Sequence, residues 1–170
     1  MLRVGSGHDS HRLADGRPLV LGGVPVAHPR GLVGHSDADV VLHAVTDALL
    51  GAAGLGDIGD AYPDVDPAHR DADSSVFLRE TLARLDQKGW RPVNVDVIIF
   101  AQEPKLGSIK GRIRAHLAKL LRLDEDAVNV KAKTGEKVGH IGRAEAIGCQ
   151  AVVLIEPQMN ADERGSRQVP

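Results

Sequence analysis

Val41, Leu42, Val45, Ala48, Leu49 and Ala52 recur at helical spacing behind Ser36 and Asp37, while long stretches on either side alternate every two residues. A stripe of that kind must be covered, and the buried faces of neighbouring strands are the available cover. The spacing predicts a helix over Ala38 to Ala53, with Ser36 or Asp37 as its N-cap. A strand begins at Val4 and carries Asp9 and His11, and Asp15-Gly16 and Gly22-Gly23 punctuate hairpin strands at Leu19 to Leu21 and Val24 to Val26. A Pro- and Gly-rich loop runs on to His35, and a second long loop covers Gly54 to Pro67. Helices follow over Ser74 to Lys88, stopping at Gly89, and over Ser108 to Leu121. Val95, Val97 and Ile99 alternate with Asn94, Asp96 and Ile98 in a strand over Val93 to Phe100, and further strands cover Val128 to Lys133 and Ile147 to Glu156. The expectation is an α+β sandwich, a mixed sheet with helices on one side, forming one domain over residues 1–156 with a polar, disordered tail over 157–170.

Aromatic residues make up only 2% of the chain against 42% hydrophobic, so the core must be built from Val, Leu, Ile and Ala. The net charge of -2 argues against a nucleic-acid partner, which calls for a basic face with stacking aromatics. The longest apolar runs, Val97 to Ala101 and Ala151 to Ile155, are too short to span a bilayer, so no membrane association is expected. Cys149 is the only cysteine and excludes an intramolecular disulfide. With no apolar leader at Met1 to Gly5, the expected location is the cytoplasm.

Asp9 and His11 stand two apart on a strand, so both side chains leave the same face. With His43 from the packed helix they offer a carboxylate and two imidazoles, three ligands with a fourth position open. That is the pattern of a catalytic rather than a structural zinc. Asp39, His43 and Asp47 share a helix face, and one of these aspartates is expected to orient the imidazole. Two other readings stay open: a zinc phosphoesterase using Asp39 or Asp47 as base, and, should the subunits assemble as a trimer around a bound nucleotide, a non-catalytic module that binds metal and nucleotide.

Longer motifs narrow the choice. Arg3 to Leu13 (RVGSGHDSHRL), His35 to Ala52 (HSDADVVLHAVTDALLGA), Gly56-Asp57-Ile58-Gly59 and Tyr62-Pro63-Asp64-Val65-Asp66-Pro67 together resemble the 2-C-methyl-D-erythritol 2,4-cyclodiphosphate synthase family, over Leu2 to Ile155. The resemblance implies a ferredoxin-like subunit in a homotrimer with active sites between subunits. It also implies a phosphorus-oxygen lyase that turns 4-diphosphocytidyl-2-C-methyl-D-erythritol 2-phosphate into the cyclic diphosphate plus CMP, in non-mevalonate isoprenoid biosynthesis. By position, Asp9, His11 and His43 match the ligands of Zn2+, and Glu136 matches that of a second ion, Mg2+ or Mn2+. His35 and Thr134 match the transition-state stabilisers.

The remaining matches concern substrate. Ser36 matches a phosphate contact. Asp57, Ile58, Gly59, Tyr62, Pro63, Asp64, Val65 and Asp66 match the loop that holds the methylerythritol part. Ala101, Lys105, Leu106 and Gly107 match the segment that holds the cytosine end, with Lys105 near the phosphates. Read without the family, His35 is a loop histidine beside a helix cap, Ser36 is a cap and the loop aspartates are turn chemistry. The chain departs from the family at Lys133 and Gly135, where hydroxyl residues are common, and Lys133 offers a cation to phosphate instead. His8 and His140 replace phenylalanines beside the trimer axis, where an arginine matching Arg143 holds an isoprenoid diphosphate in many members. The expected result is a polar, pH-responsive cavity.

Overall fold

The computed structural model describes residues 1–63 and 72–158. In chain order the elements are β1 (Arg3–Asp15), β2 (Leu19–Leu21), β3 (Val24–Val26), β4 (Arg30–Leu32), α1 (Val40–Ala53), α2 (Ile58–Ala61), α3 (Ser75–Gln87), β5 (Trp90–Phe100), α4 (Lys110–Leu121), a 3-10 turn (Glu125–Ala127), β6 (Val128–Lys133), α5 (Gly139–Gly142) and β7 (Ala146–Pro157). Five strands form a mixed sheet in the order β4-β1-β7-β5-β6, and β2 and β3 form a separate hairpin. β5 and β6 are parallel and joined through α4, while the β1–β4, β1–β7 and β5–β7 pairs are antiparallel.

Period-two burial sorts the sheet into two faces. Val95, Val97 and Ile99 of β5 and Cys149, Ala151 and Val153 of β7 are sealed beneath the helices together with Leu42, Leu49, Leu78 and Leu117. The opposite face carries Val4, 68% exposed, and Val152, 40% exposed. Two glycines set how closely α1 approaches β1. A Cβ on Gly7 would stand 2.1 Å from the Ala44 carbonyl oxygen, and one on Gly5 would stand 2.0 Å from that of Ala48. Only bare backbone permits this contact, and it lays the turn holding His43 over the strand residues that follow Gly7.

Both hairpin strands and β6 have the bounds expected from the sequence. α1 does not begin at Ala38, because Ala38 is left-handed at φ 57° and Asp39 caps the helix in place of Ser36 or Asp37. One Asp39 oxygen accepts from the Val41 and Leu42 amides and also from Gly22, and the other accepts from Gly23. Gly22 and Gly23 both have positive φ, as a tight hairpin turn requires, so Asp39 ties that turn to the head of α1. Other elements differ from expectation. β4 forms inside the Pro- and Gly-rich stretch by pairing Leu32 with Leu13. α2 forms inside the second loop, with the Asp57 side chain accepting from the Asp60 amide. β7 continues to Pro157, pairing it with Trp90, so β5 starts earlier than expected.

Candidate metal centre and substrate pocket

β1 projects Asp9 and His11 toward the helices, and α1 brings His43 down onto them. The Asp9 Oδ2 atom lies 2.9 Å from His43 Nδ1 and 3.0 Å from His11 Nε2, and the two imidazole nitrogens are 3.2 Å apart. Donor atoms bound at about 2.0–2.1 Å to one tetrahedral zinc stand roughly 3.3 Å from one another, so this triangle is close to the size a bound ion demands. The Val33 carbonyl, 2.9 Å from His11 Nδ1, can only accept a hydrogen bond. Nδ1 is therefore the N–H of His11, and in the neutral ring Nε2 carries the lone pair that faces Asp9. Burial works to raise the Asp9 carboxyl, but the imidazolium forms of His11 and His43, which donate to it, outweigh burial and hold it well below the usual carboxylate range; a bound cation takes the place of those hydrogens. The donor chemistry and spacing fit a divalent cation, and among the described residues this is the one such cluster.

The aspartates of the shared helix face do not orient His43. Asp39 is buried with both oxygens on backbone amides, and burial pushes its carboxyl up to about 6 against the pull of the Gly23, Gly22 and Leu42 amides. Asp47 accepts from the Ile58 amide at 3.2 Å and so braces α2. Hydroxyls take their place: His43 Nε2 lies 2.8 Å from Ser74 Oγ and 3.1 Å from Ser36 Oγ. Ser74 and Phe77 escaped the sequence reading, because a serine at a helix start and an aromatic on its buried side carry no signal beyond capping and core.

The cluster opens into a cavity of about 600 Å³ that gathers His35, Ser36, Ile58, Gly59 and Tyr62 from the expected set, together with Phe77. His35 is exposed at its edge, while Ser36 is 4% exposed and its Oγ accepts from the Ala38 amide. Tyr62 presents its ring, 4.8 Å from that of Phe77, and its hydroxyl bonds to the Phe77 carbonyl and to Thr81. Pro63 follows, and Asp64, Val65 and Asp66 lie outside the described residues.

A second group of expected residues assembles elsewhere on the sheet. The Ala101 amide donates to the Lys133 carbonyl at 2.9 Å, which joins the segment after β5 to the end of β6. There Leu106 is buried, Lys105, Gly107 and Lys133 are exposed, and the Thr134 hydroxyl donates to the Glu136 carboxylate. Gly135 packs against Gly142 with no room for a side chain: a Cβ would meet the Gly142 nitrogen at 2.4 Å. Arg143, on the same turn, is engaged by both carboxylate oxygens of Glu145. His8 and His140 are both exposed. Asp9, Cys149, Ile99 and Ala132 stand in one row across β1, β7, β5 and β6, so Ala132 is roughly 14 Å from Asp9 at strand spacing.

A carboxylate and two imidazoles at the head of a deep pocket, backed by a separate loop pair rich in amides and cations, are the equipment of an enzyme acting on a small anionic molecule. The model of the YgbB family matches residues 2–156, and the chain belongs to that family. It is 56% identical over 154 residues to the 2-C-methyl-D-erythritol 2,4-cyclodiphosphate synthase of Dechloromonas aromatica, covering 91% of this chain and 96% of that protein. Among solved structures it resembles the bifunctional IspDF of Campylobacter jejuni, with a TM-score of 0.89 and 41% identity over 92% of this chain, which spans 42% of that longer one. A CDP-bound 2C-methyl-D-erythritol-2,4-cyclodiphosphate synthase matches with a TM-score of 0.84 and 40% identity over 91% of this chain and 100% of that one.

Proposed function

We propose that this chain converts 4-diphosphocytidyl-2-C-methyl-D-erythritol 2-phosphate into 2-C-methyl-D-erythritol 2,4-cyclodiphosphate and CMP, a phosphorus-oxygen lyase reaction of non-mevalonate isoprenoid biosynthesis carried out in the cytoplasm. The observation that carries the reading is the convergence of Asp9 Oδ2, His11 Nε2 and His43 Nδ1 at the head of the pocket. Asp9, His11 and His43 would hold Zn2+, and Glu136 would hold Mg2+ or Mn2+. When bound, these ions supply positive charge against the repulsion between phosphate groups.

An oxygen of the 2-phosphate attacks the β-phosphorus, a new P–O–P bond forms, and the bond from the β-phosphorus to the CMP oxygen breaks. The nucleophile is already an anion near neutral pH, so no strong base is required. The task is orientation, and holding the two groups in attacking geometry is worth roughly 7–11 kcal/mol in well-aligned intramolecular reactions. Ile58, Gly59 and the Tyr62 ring shape the wall against the methylerythritol part, with Asp57, Pro63, Asp64, Val65 and Asp66 on the same loop. His35 donates to the reacting phosphates, Thr134 joins it once its hydroxyl is released from Glu136, Ser36 contacts phosphate at the approach to α1, and Lys105 and Lys133 meet the diphosphate. Ala101, Leu106 and Gly107 hold the cytosine end through backbone groups.

The separation of the two residue groups on one sheet supports a homotrimer of ferredoxin-like subunits, in which the metal residues of one chain meet the 101–107 and 133–136 segments of its neighbour. The exposed sheet face bearing Val4 and Val152 is available for that packing. In such a trimer Arg143 would lie beside an axial cavity that His8 and His140 make polar.

CMP release by the zinc- and magnesium-loaded protein tests the proposal. His43→Ala and Lys105→Ala chains are each expected to be inactive alone and to recover partial activity when refolded together. Full activity of either variant alone contradicts the assignment.

A further inference from the structure

The hydroxyl of Ser74 lies between a metal-facing histidine and a carboxylate that takes no part in the cluster. Ser74 Oγ donates to Asp37 Oδ1, and the Ser74 amide donates to Asp37 Oδ2 at 3.2 Å. Asp37 is itself held in place: its own amide donates to the Ala72 carbonyl at 3.0 Å, and its Oδ1 accepts from the Asp39 amide at 3.1 Å. A carboxylate can only accept, so the single Ser74 hydroxyl hydrogen is committed to Asp37. Ser74 therefore turns lone pairs toward His43 Nε2, 2.8 Å away, and toward Ser36 Oγ, 3.2 Å away. The nitrogen facing those lone pairs must be the N–H of the ring. Nδ1 is then left with its lone pair aimed at Asp9 and His11.

We propose that Ser74 and Asp37 are positioning residues for the metal centre, fixing the tautomer and ring angle of His43 through a relay that runs Nε2–H to Ser74 Oγ and Ser74 O–H to Asp37. The inference rests on the reading of Asp9, His11 and His43 as metal ligands. The relay does for His43 what the Val33 carbonyl does for His11, but with a charge at its far end that makes the imidazole a better donor to a cation. Ser74 is wholly buried and Ser36 is 4% exposed, so bulk water does not compete for these bonds. Asp37 and Ser74 come from the two ends of the intervening chain, so the relay also fastens the start of α3 to the approach to α1.

The test is zinc affinity of the full chain by chelator competition, together with long-range nitrogen–proton NMR of 15N-histidine-labelled protein. In the zinc-loaded wild type, His43 should carry its proton on Nε2. Ser74→Ala and Asp37→Asn should each weaken zinc binding by about 10- to 100-fold. Ser75→Ala should leave zinc binding unchanged. Wild-type affinity in both Ser74→Ala and Asp37→Asn would overturn the proposal, as would a His43 proton on Nδ1 or a wild type that binds no zinc. Should Ser74→Ala fail to fold, the near-isosteric Asp37→Asn carries the test. Because binding is read without substrate, a protein that binds zinc in this Ser74-dependent way yet releases no CMP overturns the proposed reaction and leaves the relay standing.

Discussion

The Ala44 carbonyl oxygen of α1 occupies the place where a side chain on Gly7 of β1 would begin, 2.1 Å from that Cβ position. The helix can lie this deep only because β1 is bare at Gly5 and Gly7, and the metal residues depend on that depth. Gly7→Ala is expected to push α1 outward, cost at least about 1–3 kcal/mol and weaken metal binding together with stability. Urea unfolding and zinc titration of the same variant check this, and unchanged values in both would contradict it.

Asp39 is a junction rather than an acid–base group. Its carboxylate serves the Val41 and Leu42 amides and the hairpin amides of Gly22 and Gly23. Asp39→Ala removes a helix cap and orphans buried amides, for an expected loss of about 2–4 kcal/mol in urea unfolding. A loss below about 0.5 kcal/mol would mean that these amides find other partners.

Metal removal should act through the same three side chains as mutation. His11→Ala, His43→Ala and Asp9→Asn are expected to reduce zinc affinity on the order of 100-fold or more, beyond the effect of outer groups. A chelator should abolish CMP release by the wild type, and added zinc should restore it. Retention of activity in the chelated protein would contradict the metal assignment.

Asp96 and Lys131 pair across β5 and β6. Burial works to raise the Asp96 carboxyl, but the bonds from Lys131 and Asn129 prevail and hold it below its ordinary value. A lowered native value makes the contribution complete above the ordinary carboxylate range and lost as pH falls through the native value. The Asp96 and Lys131 side chains are 38% and 40% exposed, so screening limits the pair to about 0.2–1 kcal/mol. The stability gap between wild type and Asp96→Asn should close by that amount between about pH 6 and about pH 2. A gap that widens on acidification would contradict the sign.

Much of this architecture was legible because periodicity reports burial directly. Val95, Val97 and Ile99 announced a face of β5, and the stripe from Val41 to Ala52 announced α1. Asp9 and His11 could be placed on one face from strand geometry alone, and His43 followed from the helix. What stayed hidden depends on contacts between distant segments. β4 exists only because Leu32 finds Leu13, and Asp39 is the cap only because Ala38 turns left-handed. The helix face of Asp39, His43 and Asp47 suggested a carboxylate partner for the imidazole. The partner is Ser74, thirty-one residues on, which no helical spacing could reveal.

The most direct measurement is phosphorus NMR of the metal-loaded protein with 4-diphosphocytidyl-2-C-methyl-D-erythritol 2-phosphate. The predicted result is loss of the substrate resonances with matched growth of CMP and a cyclic diphosphate, and no such change with His43→Ala. Release of inorganic phosphate, or an unchanged substrate spectrum with the metal-loaded wild type, would contradict the proposed reaction.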